Sequence, residues 1–150
     1  MLFKTSYDVN ESKIIDVDSY IKSIETLIEL GDLTYVNGHI LCYNMAGEYK
    51  TELLIEYLPN EMFSIICNKR VNNILSTSWS YNGDENLSQF IVTDSECVLP
   101  ECSLISLKDL GLRLQQFFTH PMEISGNVDG WIGDSQLDWP DEINGIRLKI

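Results

Sequence analysis

Residues able to act as nucleophiles, bases or metal ligands are present in this chain, but few stand at spacings that chemistry requires. Gly133-Asp134-Ser135 has the form of an esterase nucleophile block, in which a serine follows a strand and is activated by a downstream histidine. Both histidines, His39 and His120, precede it, and the 15 residues after Ser135 cannot hold the remaining blocks in chain order. His120 stands ahead of Pro121 at what reads as a helix end, where the helix dipole favours an imidazolium, so a structural role accounts for it. His39 could be a general base only beside a nucleophile that the sequence does not identify. Glu52 and Glu56, four apart on a strand, could share a face and do paired acid/base work, although a solvent-facing strand produces the same pattern.

Metal and cofactor chemistry finds no better footing. Cys42, Cys67, Cys97 and Cys102 form no Cys-x-x-Cys pair and come with only two histidines, so zinc-site spacing is absent. Cys42 and Cys67 lie in apolar, strand-like runs, where a reduced cysteine serves as a small buried hydrophobe. Asp129, Asp134, Asp138 and Asp141 miss the alternating ligand pattern of a calcium loop. Gly126, Gly130 and Gly133 miss the dinucleotide fingerprint and have no strand-to-helix unit around them. The residues therefore predict a binding protein with no catalytic residue, no metal and no cofactor.

The elements that would position these residues read as a single α+β domain spanning residues 1–150. Hydrophobic residues make up 44% of the chain and are spread along its length, enough for a packed core. Asp16 and Asp18 are N-cap candidates for a helix whose stripe is Tyr20, Ile21, Ile24, Leu27 and Ile28, ended by Gly31. The period then changes. Leu33 to Val36 and His39 to Asn44 read as strands joined at Asn37-Gly38, a pair suited to a type I′ turn. Thr51 to Leu58, Met62 to Cys67, Ile74 to Tyr81 and Gln89 to Thr93 continue the strand signal, giving an antiparallel sheet of about six strands. Ser106 caps a second helix, with Leu107, Leu110, Leu114, Phe117 and Phe118 as its stripe and Pro121 as its stop. Short strands are expected near Gln136 to Trp139 and Ile146 to Ile150. No apolar run approaches the roughly 20 residues of a membrane span, and Met1-Leu2-Phe3-Lys4 does not open a signal peptide, so a cytoplasmic protein is expected.

Charge is the strongest compositional feature. The chain carries 23 acidic and 10 basic residues, for a formal charge of −13, which repels phosphate backbones and anionic membranes and favours a basic protein as partner. No Lys or Arg occurs from Val71 to Leu107 or from Leu114 to Ile146, stretches that hold eleven carboxylates and all three tryptophans. Trp79, in a strand-like run, is expected in the core. Trp131 and Trp139, with aspartates close by, are expected as interface anchors, because a rigid aromatic ringed by complementary charge can dominate binding energy.

The order of parts from Pro100 through Trp139 resembles the C-terminal half of small immunity proteins that protect bacteria from polymorphic or contact-dependent growth-inhibition toxins. The resemblance lies in Leu104-Ile105-Ser106-Leu107, the helix Lys108 to Phe118 with its Phe117-Phe118 pair, Pro121, Met122-Glu123-Ile124 and the late tryptophans; the run from Leu33 to Cys67 is compatible with it. In the tighter pattern a tryptophan follows soon after the helix and its proline, whereas here Gly126 to Gly130 intervenes. The resemblance implies a stoichiometric inhibitor, a monomer or a 1:1 heterodimer with a cognate toxin domain, often a nuclease. Resemblance, charge gaps and aromatics together place the toxin contacts at Asp84, Glu85, Asp129, Trp131, Asp134, Asp138, Trp139 and Asp141. Two rivals remain: an acidic adaptor whose charge serves solubility, and a small hydrolase built on Glu52, Glu56 or His39.

Overall fold

A computed structural model describes residues 2–8, 11–14, 17–30, 38–43, 49–58, 61–93 and 96–147. In chain order the strands are β1 (Leu2–Asp8), β2 (Glu11–Ile14), β3 (Gly38–Tyr43), β4 (Tyr49–Leu58), β5 (Met62–Val71), β6 (Ile74–Ser80), β7 (Phe90–Val92), β8 (Val98–Pro100), β9 (Trp131–Gly133), β10 (Glu142–Ile143) and β11 (Ile146–Arg147). Helix α1 (Val17–Glu29) follows β2, and α2 (Leu107–Thr119) lies between β8 and β9. Seven strands form one sheet in the order β2-β1-β3-β4-β5-β6-β9, every pairing antiparallel; β7-β8 and β10-β11 are separate hairpins. The architecture is α+β, as expected, and β3-β4-β5-β6 form an antiparallel meander within the sheet.

Strand alternation explains how one sheet supports two cores. On β4 and β5, Leu53, Ile55, Phe63, Ile65 and Cys67 point to one face, where they pack with Ile40, Trp131, Tyr20 of α1 and Leu110, Leu114 and Phe117 of α2. On the other face Leu58, Trp79 and Ile132 pack with Leu99, Cys102 and Leu137. Helix α2 begins where Ser106 accepts the Asp109 N–H on its hydroxyl at 3.3 Å, an N-cap that satisfies an orphan donor. The segment after α2 is fixed by Lys69, whose ammonium donates to the carbonyls of Met122 and Ile124 at 2.9 Å each.

The β5-β6 connection is a two-residue turn in which Asn72 and Asn73 both adopt positive φ, 51° and 65°, the type I′ geometry that asparagine tolerates and that matches strand twist. Several expectations change. The Gln89 to Thr93 strand exists as Phe90–Val92 but pairs with β8 outside the main sheet. Gln136 to Trp139 is not a strand: a short 3₁₀ turn, Asp134–Gln136, precedes irregular backbone, and the strand in this region is Trp131–Gly133. Asp16, Gly31, the Leu33 to Val36 strand and Asn37 lie outside the described residues, as does the side chain of His39.

Candidate functional site

The acidic residues expected at an interface fall on the loop from Asn82 to Ser88 and on the stretch from Asp129 to Asp141. From Asn82 to Ser88 the backbone is held by successive Asx turns: Asn82 Oδ1 accepts Asp84 N–H at 2.8 Å, Asp84 Oδ1 accepts Asn86 N–H at 3.0 Å, and Asn86 Oδ1 accepts Ser88 N–H at 3.1 Å. Such side-chain-to-backbone bonds fix a loop without a sheet. The Asn82 amide also donates to the carbonyls of Glu101 and Leu104, and the Tyr81 hydroxyl donates to Asp84 O at 2.9 Å. Asp84 and Glu85 are exposed at the tip. Asp138 is joined to this loop through its N–H, which donates to Leu87 O at 3.0 Å, and Asp138 and Asp141 are both exposed.

Beneath these loops lies an aromatic cluster organised by one carboxylate. Trp79 and Trp139 both donate their indole N–H to Asp134 Oδ1, at 3.0 and 3.1 Å. The Trp139 ring lies 5.9 Å from Trp79 and 4.4 Å from Phe90, distances at which aromatic pairs attract beyond their burial. Asp134 is half-buried, with its Oδ1 taken by the two indoles, and Trp139 is half-buried against two other rings.

Trp131 overturns the expectation that it is an exposed anchor. It is 2% exposed, within the helix-facing core, and its indole N–H donates to Gln116 Oε1 at 3.1 Å. The proximity of aspartates in sequence misled because strand β9 turns Trp131 inward, and α2 supplies the acceptor that a buried indole needs. Gln116 in turn donates to Asp129 O at 3.3 Å, which places Asp129, though exposed, beside α2.

Two titratable groups sit under the acidic loop. Burial pushes the Cys102 thiol up, and the Asp84 carboxylate adds to the shift while a backbone hydrogen bond opposes it. The Tyr81 hydroxyl is also raised, first by burial and then by Cys102, Asp84 and Glu85. Both effects keep the neutral forms in place.

Glu52 and Glu56 lie on the same face of β4, yet Glu52 accepts the Asn68 amide at 3.3 Å, and Asn68 accepts the Thr77 hydroxyl at 2.8 Å. His120 caps α2 at its C-terminus and faces Glu123 at 3.9 Å. A cleft of about 580 Å³ opens between Leu75 to Ser78, Gly126 and Asn127, and Gly133 to Gln136. Ser135 lines it, but among the described residues the lining contains no histidine, lysine or cysteine, and Asp134 is its one charged residue. Among the described residues no group of three His, Cys, Asp or Glu side chains is placed to hold a metal ion, and no helix is long and apolar enough to cross a membrane.

No protein family matches the chain, and neither a curated protein nor a solved structure shows significant similarity to it.

Proposed function

We propose that this chain is an immunity-type inhibitor that binds a basic partner, a nuclease-type toxin domain, through the joined loops carrying Asp84, Glu85 and Asp138, with Asp141 beside them. The observation that carries this reading is the exposure of these carboxylates on hydrogen-bonded loops drawn from stretches of sequence without Lys or Arg. Fixed negative charge of this kind imitates the field of a nucleic acid. It accelerates encounter with a basic surface and rejects acidic competitors. Preorganised loops also lower the ordering cost of association. The half-buried edge of Trp139 lies next to Asp138 in the chain and supplies apolar contact area; Trp131 has no part in the surface.

The test is the triple reversal Asp84→Lys, Glu85→Lys and Asp138→Lys, with binding to the cognate toxin domain followed by stopped flow. Glu85 and Asp138 are exposed and support no core contact, so folding stability should stay within about 0.5 kcal/mol of the parent for each of those changes, whereas Asp84→Lys gives up the bond from Asn86 N–H and should cost about 1 kcal/mol. The association rate should fall about tenfold or more. An unchanged rate would remove this surface from the account. Association that is insensitive to salt would favour the adaptor reading.

A further inference from the structure

Strand β6 is only half covered by its outer neighbour. The β6-β9 register pairs Ser78 with Gly133, Trp79 with Ile132 and Ser80 with Trp131, and goes no further toward the start of β6. The hydrogen-bonding phase follows from the bonds around it. The Asn72-Asn73 turn makes Val71 and Ile74 a mutually bonded pair, so Ile74, Ser76 and Ser78 direct their backbone groups to β5. Leu75, Thr77 and Trp79 direct theirs outward. The bond from Tyr81 N–H to Gly130 O at 2.9 Å, and the inward turn of Trp131 N–H to Val128 O at 3.1 Å, confirm this alternation.

Strand β9 stops for an identifiable reason. Gly133 N–H donates to Gln136 Oε1 at 2.7 Å, which turns the chain into the 3₁₀ segment before it can reach Thr77. The outward N–H and C=O groups of Leu75 and Thr77 are left facing the cleft. Edge strands are ordinarily guarded by lysine, proline or a bulge, yet β6 has none of these, and Ile74 and Leu75 are 72% and 55% exposed.

We propose that this open edge accepts an extended basic segment of a partner protein as an added strand continuing the line of β9, with a Lys or Arg of that segment meeting Asp134. The backbone groups of Leu75 and Thr77 supply the ladder, and the cleft supplies space for alternate side chains. Charge selects the occupant. Among the described residues Asp134 is the only charged one lining the cleft, and a second copy of a chain with net charge −13 is repelled where a basic segment is attracted. The inference rests on reading the chain as a binder of basic proteins, and names a second contact for the same partner.

The test uses the full chain and two synthetic peptides, one alternating valine with lysine and one alternating valine with glutamate, with hydrogen exchange as the readout. The lysine peptide should bind and slow exchange at the Leu75 and Thr77 amides by about 100-fold at saturation, while the glutamate peptide should do neither. Leu75→Pro removes an outward N–H and no bond to β5, so it should abolish peptide binding with an unchanged melting temperature. Asp134→Asn keeps an acceptor for both indoles and should weaken the lysine peptide about tenfold. Equal binding of the two peptides, unprotected Leu75 and Thr77 amides, or protection that appears with protein concentration alone would each overturn the proposal. Peptide binding that survives the Asp84, Glu85 and Asp138 reversal separates this edge from the loops, so either contact can fail without the other.

Discussion

A single carboxylate at Asp134 holds two tryptophans, and that arrangement makes a quantitative prediction at the scale of the residue. Asp134→Ala leaves both indole N–H groups without their acceptor, Trp79 being only 5% exposed. The loss should be about 2–4 kcal/mol in urea denaturation, whereas Asp134→Asn should cost about 1 kcal/mol. Equal losses would mean that the carboxylate acts through its charge and not as an acceptor. A second residue-scale prediction concerns the buried serines. Ser103 donates to Pro100 O and so must accept from Ser64, while Ser80 donates to Ser103 O and accepts Ile65 N–H. Ser80→Ala should therefore cost about 1–3 kcal/mol, since it strands a buried N–H and a buried carbonyl together. Titration of Cys102 has a definite sign. Its folded thiol is raised above the ordinary value of 9.0, so its contribution to stability is complete below that value and is lost as pH rises through the folded pKa. Chemical denaturation between neutral pH and the alkaline range should show this loss, and Asp84→Asn should make it smaller and complete at a lower pH.

At the scale of the element, the end of β9 is the most sensitive joint. A methyl group at Gly126 would lie 2.5 Å from Gly133 N and 2.9 Å from its Cα, both backbone atoms, so Gly126→Ala must displace the strand end and should cost about 1–3 kcal/mol by thermal denaturation. This joint was not legible in the sequence, where Gly126, Gly130 and Gly133 read only as a failed fingerprint. Three-residue strands such as β9 carry too little alternation to be seen, and β1 and β2 escaped notice because Leu2 to Ile14 mixes polar and apolar residues without a clean period. By contrast, α2 was legible from Ser106, its leucine stripe and Pro121, because cap, stripe and stop agree. The meander from β3 to β6 was legible for the same reason of consistency between strands and turns. The acidic loop offered a signal that passed unused: Asn82, Asp84 and Asn86 alternate, which is the pattern of consecutive Asx turns. Trp131 was misjudged because sequence neighbours do not report which face a strand presents, and its partner Gln116 lies on another element.

At the scale of the whole molecule, sheet and helices bury the apolar surface while a net charge of −13 is left on a chain of 150 residues. Two hydrogen-bonded loops carry the exposed Asp84, Glu85 and Asp138, and Asp134 lines the cleft beside the open edge of β6. On the proposed reading, electrostatic attraction is the first step of recognition, with contact energy following at the rings and the edge. It is tested most directly by the association rate with the cognate toxin domain, measured by stopped flow across a salt series for the parent and for the Asp84→Lys, Glu85→Lys, Asp138→Lys variant. The parent rate should fall steeply, by about tenfold or more from low to high ionic strength, and the variant should start slow and respond little. Parallel salt dependences for the two proteins would contradict the account.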